Sequence, residues 1–150
     1  MKSKPEVRWS DRKVLVALAL LCGLGLVACE RPMTIAVTKD TNPPSFKLSG
    51  SGRLVFLTVS EVIPGKTPSV DDPVMWKIEP AEERLISHLP EVTYGSVPPG
   101  FTQTAPAHGM PQPLLEGKIY EIGGPAYDAD GGSIRFTIKN GKAVVLSSAR

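Results

Sequence analysis

Hydrophobic positions along the chain follow two regimes. From Val14 to Ala28 they form one uncharged run without alternation, and from Thr34 onward they come in short stretches cut by proline and glycine. Strict alternation belongs to a strand with one buried face, because successive side chains point to opposite sides. Thr34–Thr38 is the first such stretch; Asn42-Pro43-Pro44 breaks it, and Ser49-Gly50-Ser51-Gly52 reads as a turn. Leu54–Ile63 is the longest β-rich run, and apolar residues on both parities predict a central strand covered on both faces. Pro64-Gly65 ends it. Val74–Ile78, with Trp76, predicts another short strand closed by Pro80.

The second half is punctuated in the same way. Ala81–His88 is the one segment with the pattern of a helical turn, Glu82, Glu83 and Arg84 preceding Leu85 and Ile86. Val92–Val97 predicts a strand, and Pro98-Pro99-Gly100 suits a type II turn with glycine at positive φ. Thr102–Pro113 reads as an irregular loop of about a dozen residues, near the upper limit for a compact domain. Leu115–Ile122 returns to strand. Ile134, Phe136 and Ile138 then alternate with polar residues before Asn140-Gly141 and Ala143–Leu146, the pattern of a hairpin with a type I′ turn. Prolines scattered through the chain after Cys29 forbid long helices. About seven or eight short strands between such turns predict an all-β fold, an antiparallel β-sandwich or small barrel.

The uncharged run asks for a different account. It follows a basic head of Lys2, Lys4, Arg8, Arg12 and Lys13, and is shorter than the about 20 residues a spanning helix needs. A basic head, a short apolar run and small residues at its end make a secretory signal peptide. Leu26-Val27-Ala28-Cys29 at that end resembles the lipobox of bacterial lipoproteins. The resemblance implies diacylglycerol on the Cys29 thiol and cleavage before it. Residues 1–28 are then the signal peptide, 29–33 a lipidated tether and 34–150 the β-sandwich domain. Each buried methylene contributes about 0.8 kcal/mol and stable anchoring takes two or more chains, which a diacylated cysteine supplies. Glu30, in place of the aspartate that retains lipoproteins at the inner membrane of enterobacteria, favours the outer membrane in a two-membrane organism.

Maturation changes the charge. The whole chain has 17 Lys and Arg against 15 Asp and Glu, a net +2, but five of the bases and two of the acids precede Cys29. The remainder is close to neutral, so no basic stripe points to nucleic acid. Cys22 leaves with the signal peptide, so the mature chain has no internal disulfide and no cysteine-based zinc site.

Leu114-Leu115-Glu116-Gly117-Lys118-Ile119-Tyr120-Glu121-Ile122 resembles the tyrosine-corner region of fibronectin type III and immunoglobulin domains. The resemblance implies that the Tyr120 hydroxyl bonds a nearby backbone group and that Trp76 is the core tryptophan. Val92–Gly95 with Pro98–Phe101 and Leu115–Tyr120 also resembles a segment of small exported bacterial proteins, which implies no activity.

Candidate chemistry is sparse. His88 and His108 have no neighbours at ligand spacing and read as solvated histidines. Asp128-Ala129-Asp130-Gly131-Gly132 starts like a calcium loop, but a third oxygen is missing and Lys139 stands where a bidentate glutamate belongs, so a hairpin turn is the better reading. No Gly-x-Ser-x-Gly elbow occurs. The loop Gly100–Pro113, with Phe101, His108 and Met110, is the most functional-looking irregular segment, a candidate recognition surface, although Phe101 and Met110 folding back over one end of the sandwich is the simpler reading. These features favour a non-enzymatic, membrane-tethered protein-interaction or structural module without cofactor, its partners membrane lipid and an envelope protein. A small-ligand, carbohydrate or calcium-binding module using Asp128 and Asp130, and a hydrolase with a dispersed triad, are the alternative classes.

Overall fold

The computed structural model describes residues 30–65 and 72–149. The leader and Cys29 lie outside them. Ten strands are present among the described residues: β1 Thr34–Lys39, β2 Ser45–Ser49, β3 Arg53–Leu54, β4 Leu57–Val62, β5 Val74–Pro80, β6 Val92–Thr93, β7 Phe101–Ala105, β8 Ile119–Tyr127, β9 Ala129–Lys139 and β10 Lys142–Ala149. They form two antiparallel sheets, one ordered β1-β2-β6 and the other β10-β9-β8-β4-β5-β7, with β3 paired beside β8. The fold is an all-β sandwich. No helix among the described residues is long and apolar enough to cross a membrane.

The pairing of β2 with β6 in one sheet, and of β4 with β8 and β8 with β9 in the other, matches the B-E and C-F-G pairings of immunoglobulin-type sandwiches. On that correspondence β8 is strand F, and Tyr120 stands near its start as a tyrosine corner requires. Its hydroxyl accepts the Leu115 N–H at 2.9 Å. Trp76 is fully buried, but it lies on β5, the neighbour of the C-like strand β4, and not on the C-like strand itself.

Aromatic side chains knit the sheets together. Phe46 from β2 meets Phe136 from β9 at a centroid distance of 5.4 Å, and Tyr120 meets the same ring at 5.7 Å. Trp76 takes the Tyr94 ring edge-on at 5.6 Å. Such pairs contribute about 0.5–1.5 kcal/mol each beyond the apolar area they bury.

Several boundaries differ from those the sequence predicts. The Leu54–Ile63 run is two strands, broken at Val55-Phe56. Leu54 and Leu57 are buried on opposite parities because the break re-phases the chain; within β4 only Leu57 and Val59 are buried. The two-parity pattern therefore records a kink, not a strand covered on both faces. Phe56 ends up half-exposed with the Lys77 ammonium 4.3 Å above its ring. Only Ile86–His88 of the expected helical turn is helical, as one 3-10 turn, since Leu85 bridges to Arg53 instead. The Val92–Val97 strand stops at Thr93. The Thr102–Pro113 loop is shorter than expected, because Phe101–Ala105 pairs with β5. The last strand pair holds as expected, with Asn140 at φ 54° and Gly141 at φ 71°, both left-handed as a type I′ turn demands.

Strand directions give the sandwich two distinct ends. The start of β1, the Gly50–Gly52 turn, the β8–β9 hairpin tip and the Ala81–Leu85 segment gather at one. Asp40–Pro44, Tyr94-Gly95, Pro106–Gly117 and Asn140-Gly141 gather at the other. β9, with eleven residues, runs between them, a span of about 36 Å at about 3.3 Å per residue.

Candidate functional site

The loop end is where irregular backbone and exposed apolar surface coincide. β7 delivers the chain to it after the Pro98–Phe101 turn, in which Gly100 has φ 79° and the Phe101 N–H donates to the Pro98 carbonyl at 3.1 Å. This is the expected type II turn. A Cβ on residue 100 would also meet the end of the Arg84 side chain, which would have to swing aside.

The segment 106–115 that follows has no ladder to hold it, and side chains take that role. Gln103, on β7, accepts the buried Trp76 indole N–H at 3.1 Å. Its amide nitrogen donates to the carbonyls of Pro106 at 2.8 Å and Gly109 at 2.9 Å. Tyr94 donates its hydroxyl to the Gln112 carbonyl at 2.7 Å, and Asn42 donates to the Leu114 carbonyl at 3.0 Å. The Tyr120 hydroxyl fixes Leu115. Burial, helped by the nearby Tyr120, pushes the Tyr94 hydroxyl up to about 12, so it stays a donor at any physiological pH.

Met110 projects from this fixed loop with 83% of its surface exposed. Clefts open on either side of it. One, of about 380 Å³, is lined by Asn42, Pro43, Tyr94, Pro111, Pro113 and Leu114. The other, of about 500 Å³, is bounded by Glu61, Val74, Met75, Pro106 and Gln112. An exposed methionine between proline-walled clefts is an adaptable apolar contact.

The residues singled out in the sequence separate accordingly. Met110 is exposed in the loop, as is His108. Phe101 is not a loop residue: it is buried on β7 with the Arg84 guanidinium 5.9 Å from its ring centre. His88 is exposed at the other end of the sandwich. Asp128 is the hairpin residue, with φ 60°, and its carboxylate accepts from Arg53 at 2.6 Å. Glu83 takes the other arm of the same guanidinium. Asp130 contributes its carbonyl to the Met33 N–H at 2.9 Å. Among the described residues no three His, Cys, Asp or Glu side chains gather within reach of one ion.

Asn42, Tyr94 and Gln103 were not singled out by sequence. Gln103 had a signal available, since Phe101, Gln103 and Ala105 share a parity directly after a turn. Comparison of the chain with protein-family models, with curated proteins and with solved structures gives no match. The function has to be read from the site itself.

Proposed function

We propose that the chain is an exported lipoprotein, cut before Cys29 and lipid-anchored there in the cell envelope, whose sandwich binds another envelope protein through the Met110 loop. Glu30 after the cysteine supports the outer membrane, facing the periplasm, where the envelope has two membranes. The reading is of binding, because the side chain that the loop projects furthest is apolar and the polar side chains of Gln103, Tyr94 and Asn42 beneath it are engaged in holding the loop. Gln103, Tyr94, Asn42 and Tyr120 each have a partner, leaving the apolar side chain as the group on offer. The observation that carries the proposal is this fixed loop presenting Met110 between two clefts. Preordering favours affinity, since the ordering cost of the loop is met on folding and not on association.

Two measurements test it. Radiolabelled palmitate should be incorporated into the wild-type chain and not into Cys29→Ser; equal labelling refutes the anchor. A photo-crosslinking amino acid at position 110 should give one discrete adduct in intact cells, identified by mass spectrometry and lost when Gln103→Ala releases the loop. An adduct equally strong from exposed position 39, or none from 110, refutes the binding surface.

A further inference from the structure

We infer that the opposite end of the sandwich, carrying Leu85 and Tyr127, rests on a zwitterionic lipid surface and turns the Met110 loop away from the membrane. The inference depends on lipidation of Cys29 and adds to it an orientation and a contact.

The chain is fixed to the fold very close to that cysteine. The Arg31 carbonyl accepts the Ser51 N–H at 2.9 Å, and the Arg31 N–H donates to Ser51 Oγ at 2.9 Å. Met33 is 3% exposed, and its N–H is bonded to Asp130. What reads in sequence as tether is therefore part of the sandwich from Arg31 onward. Two residues, Cys29 and Glu30, remain, and two residues reach at most about 7 Å. A lipid on Cys29 thus holds this end of the domain, and no other, at headgroup level.

Apolar groups await it there. Arg53 pairs across the backbone with Tyr127 on one side and Leu85 on the other. Cross-strand partners share a face, and the next residue, Leu54, points into the core at 3% exposure, so Leu85, Arg53 and Tyr127 form a row on the outer face. Leu85 is 47% and Tyr127 55% exposed. Between them the Arg53 guanidinium is held by Glu83 and Asp128, so the cation in the row is paired and the one excess negative charge lies on carboxylates that are about two-thirds exposed to water. A tyrosine with an apolar body and a wet hydroxyl belongs at a headgroup boundary. Charge selects the lipid. Glu30, Glu82, Glu83, Asp128 and Asp130 outnumber Arg31, Arg53 and Arg84 at this end, which disfavours an anionic surface.

The experiment uses the full lipidated chain in phosphatidylcholine vesicles containing a headgroup-attached quencher. Leu85→Cys, Tyr127→Cys and Met110→Cys each carry one thiol fluorophore, the Cys29 thiol being blocked by its lipid. All three positions are exposed, so the core is untouched. Labels at 85 and 127 should be quenched at least about twofold more than the label at 110, which stands about one β9 length, some 36 Å, from the surface. Phosphatidylglycerol in the vesicles should reduce quenching at both. Equal quenching at all three positions, or stronger quenching at 110, overturns the orientation. Mass spectrometry of the N-terminal peptide separates the two ideas: a lipidated Cys29 with unquenched 85 and 127 overturns the seat alone, while an unmodified Cys29 overturns the anchor and the seat together.

Discussion

Replacing Gln103 with methionine tests the loop architecture most directly. The side chains are similar in volume, so packing changes little, but the amide is lost. Trp76 is fully buried, and its indole N–H, now bonded to Gln103 Oε1, is left without an acceptor. Orphaning a buried donor costs about 1–3 kcal/mol. The carbonyls of Pro106 and Gly109 also lose their donor, but they lie nearer solvent and recover part of that bonding from water. The sum is about 2–3 kcal/mol. For a domain of this size that is a fall in Tm of about 10 °C. Urea unfolding followed by circular dichroism should show a lower midpoint with unchanged slope, since the surface exposed on unfolding is the same. A double-mutant cycle with Trp76→Phe, which removes the donor, isolates the orphan penalty: Gln103→Met should cost at least about 1 kcal/mol less in that background. A single-mutant cost under about 0.5 kcal/mol, or strict additivity, would refute the argument that Gln103 holds the loop through Trp76.

Tyr120→Phe keeps the ring against Phe136 but removes the acceptor for the Leu115 N–H, and a loss of about 1–2 kcal/mol in urea unfolding is expected; an unchanged midpoint would show that the corner is ornamental. Tyr94 ionises near 12 in the folded protein, above its ordinary value of 10. A raised tyrosine value means that folding favours the neutral phenol, so this contribution to stability is intact below pH 10 and fades as pH rises toward 12. Phenolate absorbance in an alkaline titration should therefore contain a step near 12 that Tyr94→Phe lacks, and loss of an ordinary step near 10 instead would contradict it.

Legibility in the sequence followed the chemistry of turns more than the length of strands. Asn140-Gly141 and Pro98-Pro99-Gly100 were readable because each turn demands a particular residue at positive φ, and few residues meet the demand. The tyrosine corner was readable from a local resemblance. β7 was concealed because Gln103 puts a polar residue on its inward parity, with Thr102 and Thr104 on the other, so no apolar period survives. β2 was concealed by brevity: five residues after Pro44, with Lys47 reaching across to the Leu89 carbonyl at 2.5 Å. The Val55-Phe56 break could not be read from hydrophobicity, because a kinked strand and a doubly covered one leave the same pattern. The loop could be singled out in the sequence as a candidate recognition surface, but its fixing could not, since Asn42, Tyr94, Gln103 and Tyr120 come from four separate parts of the chain.

That dispersion has a mechanical consequence. Asn42 follows β1 and Tyr94 follows β6, so both hang from the three-stranded sheet; Gln103 on β7 and Tyr120 on β8 belong to the other. The loop is therefore held by both sheets at once, and its conformation depends on how they pack. No cysteine occurs after residue 29 to cross-link that packing. It rests on the shared apolar core, in which Phe46 meets Phe136 and Trp76 meets Tyr94, and the second of these pairs contains one loop-holding residue and the partner of another. A loop bonded only to its own flanks opens by fraying, at little free-energy cost. One bonded to both layers must break bonds to each before it opens, which costs more than fraying alone. Hydrogen bonds that look like local decoration of residues 106–115 thus tie the presentation of Met110 to both sheets of the sandwich.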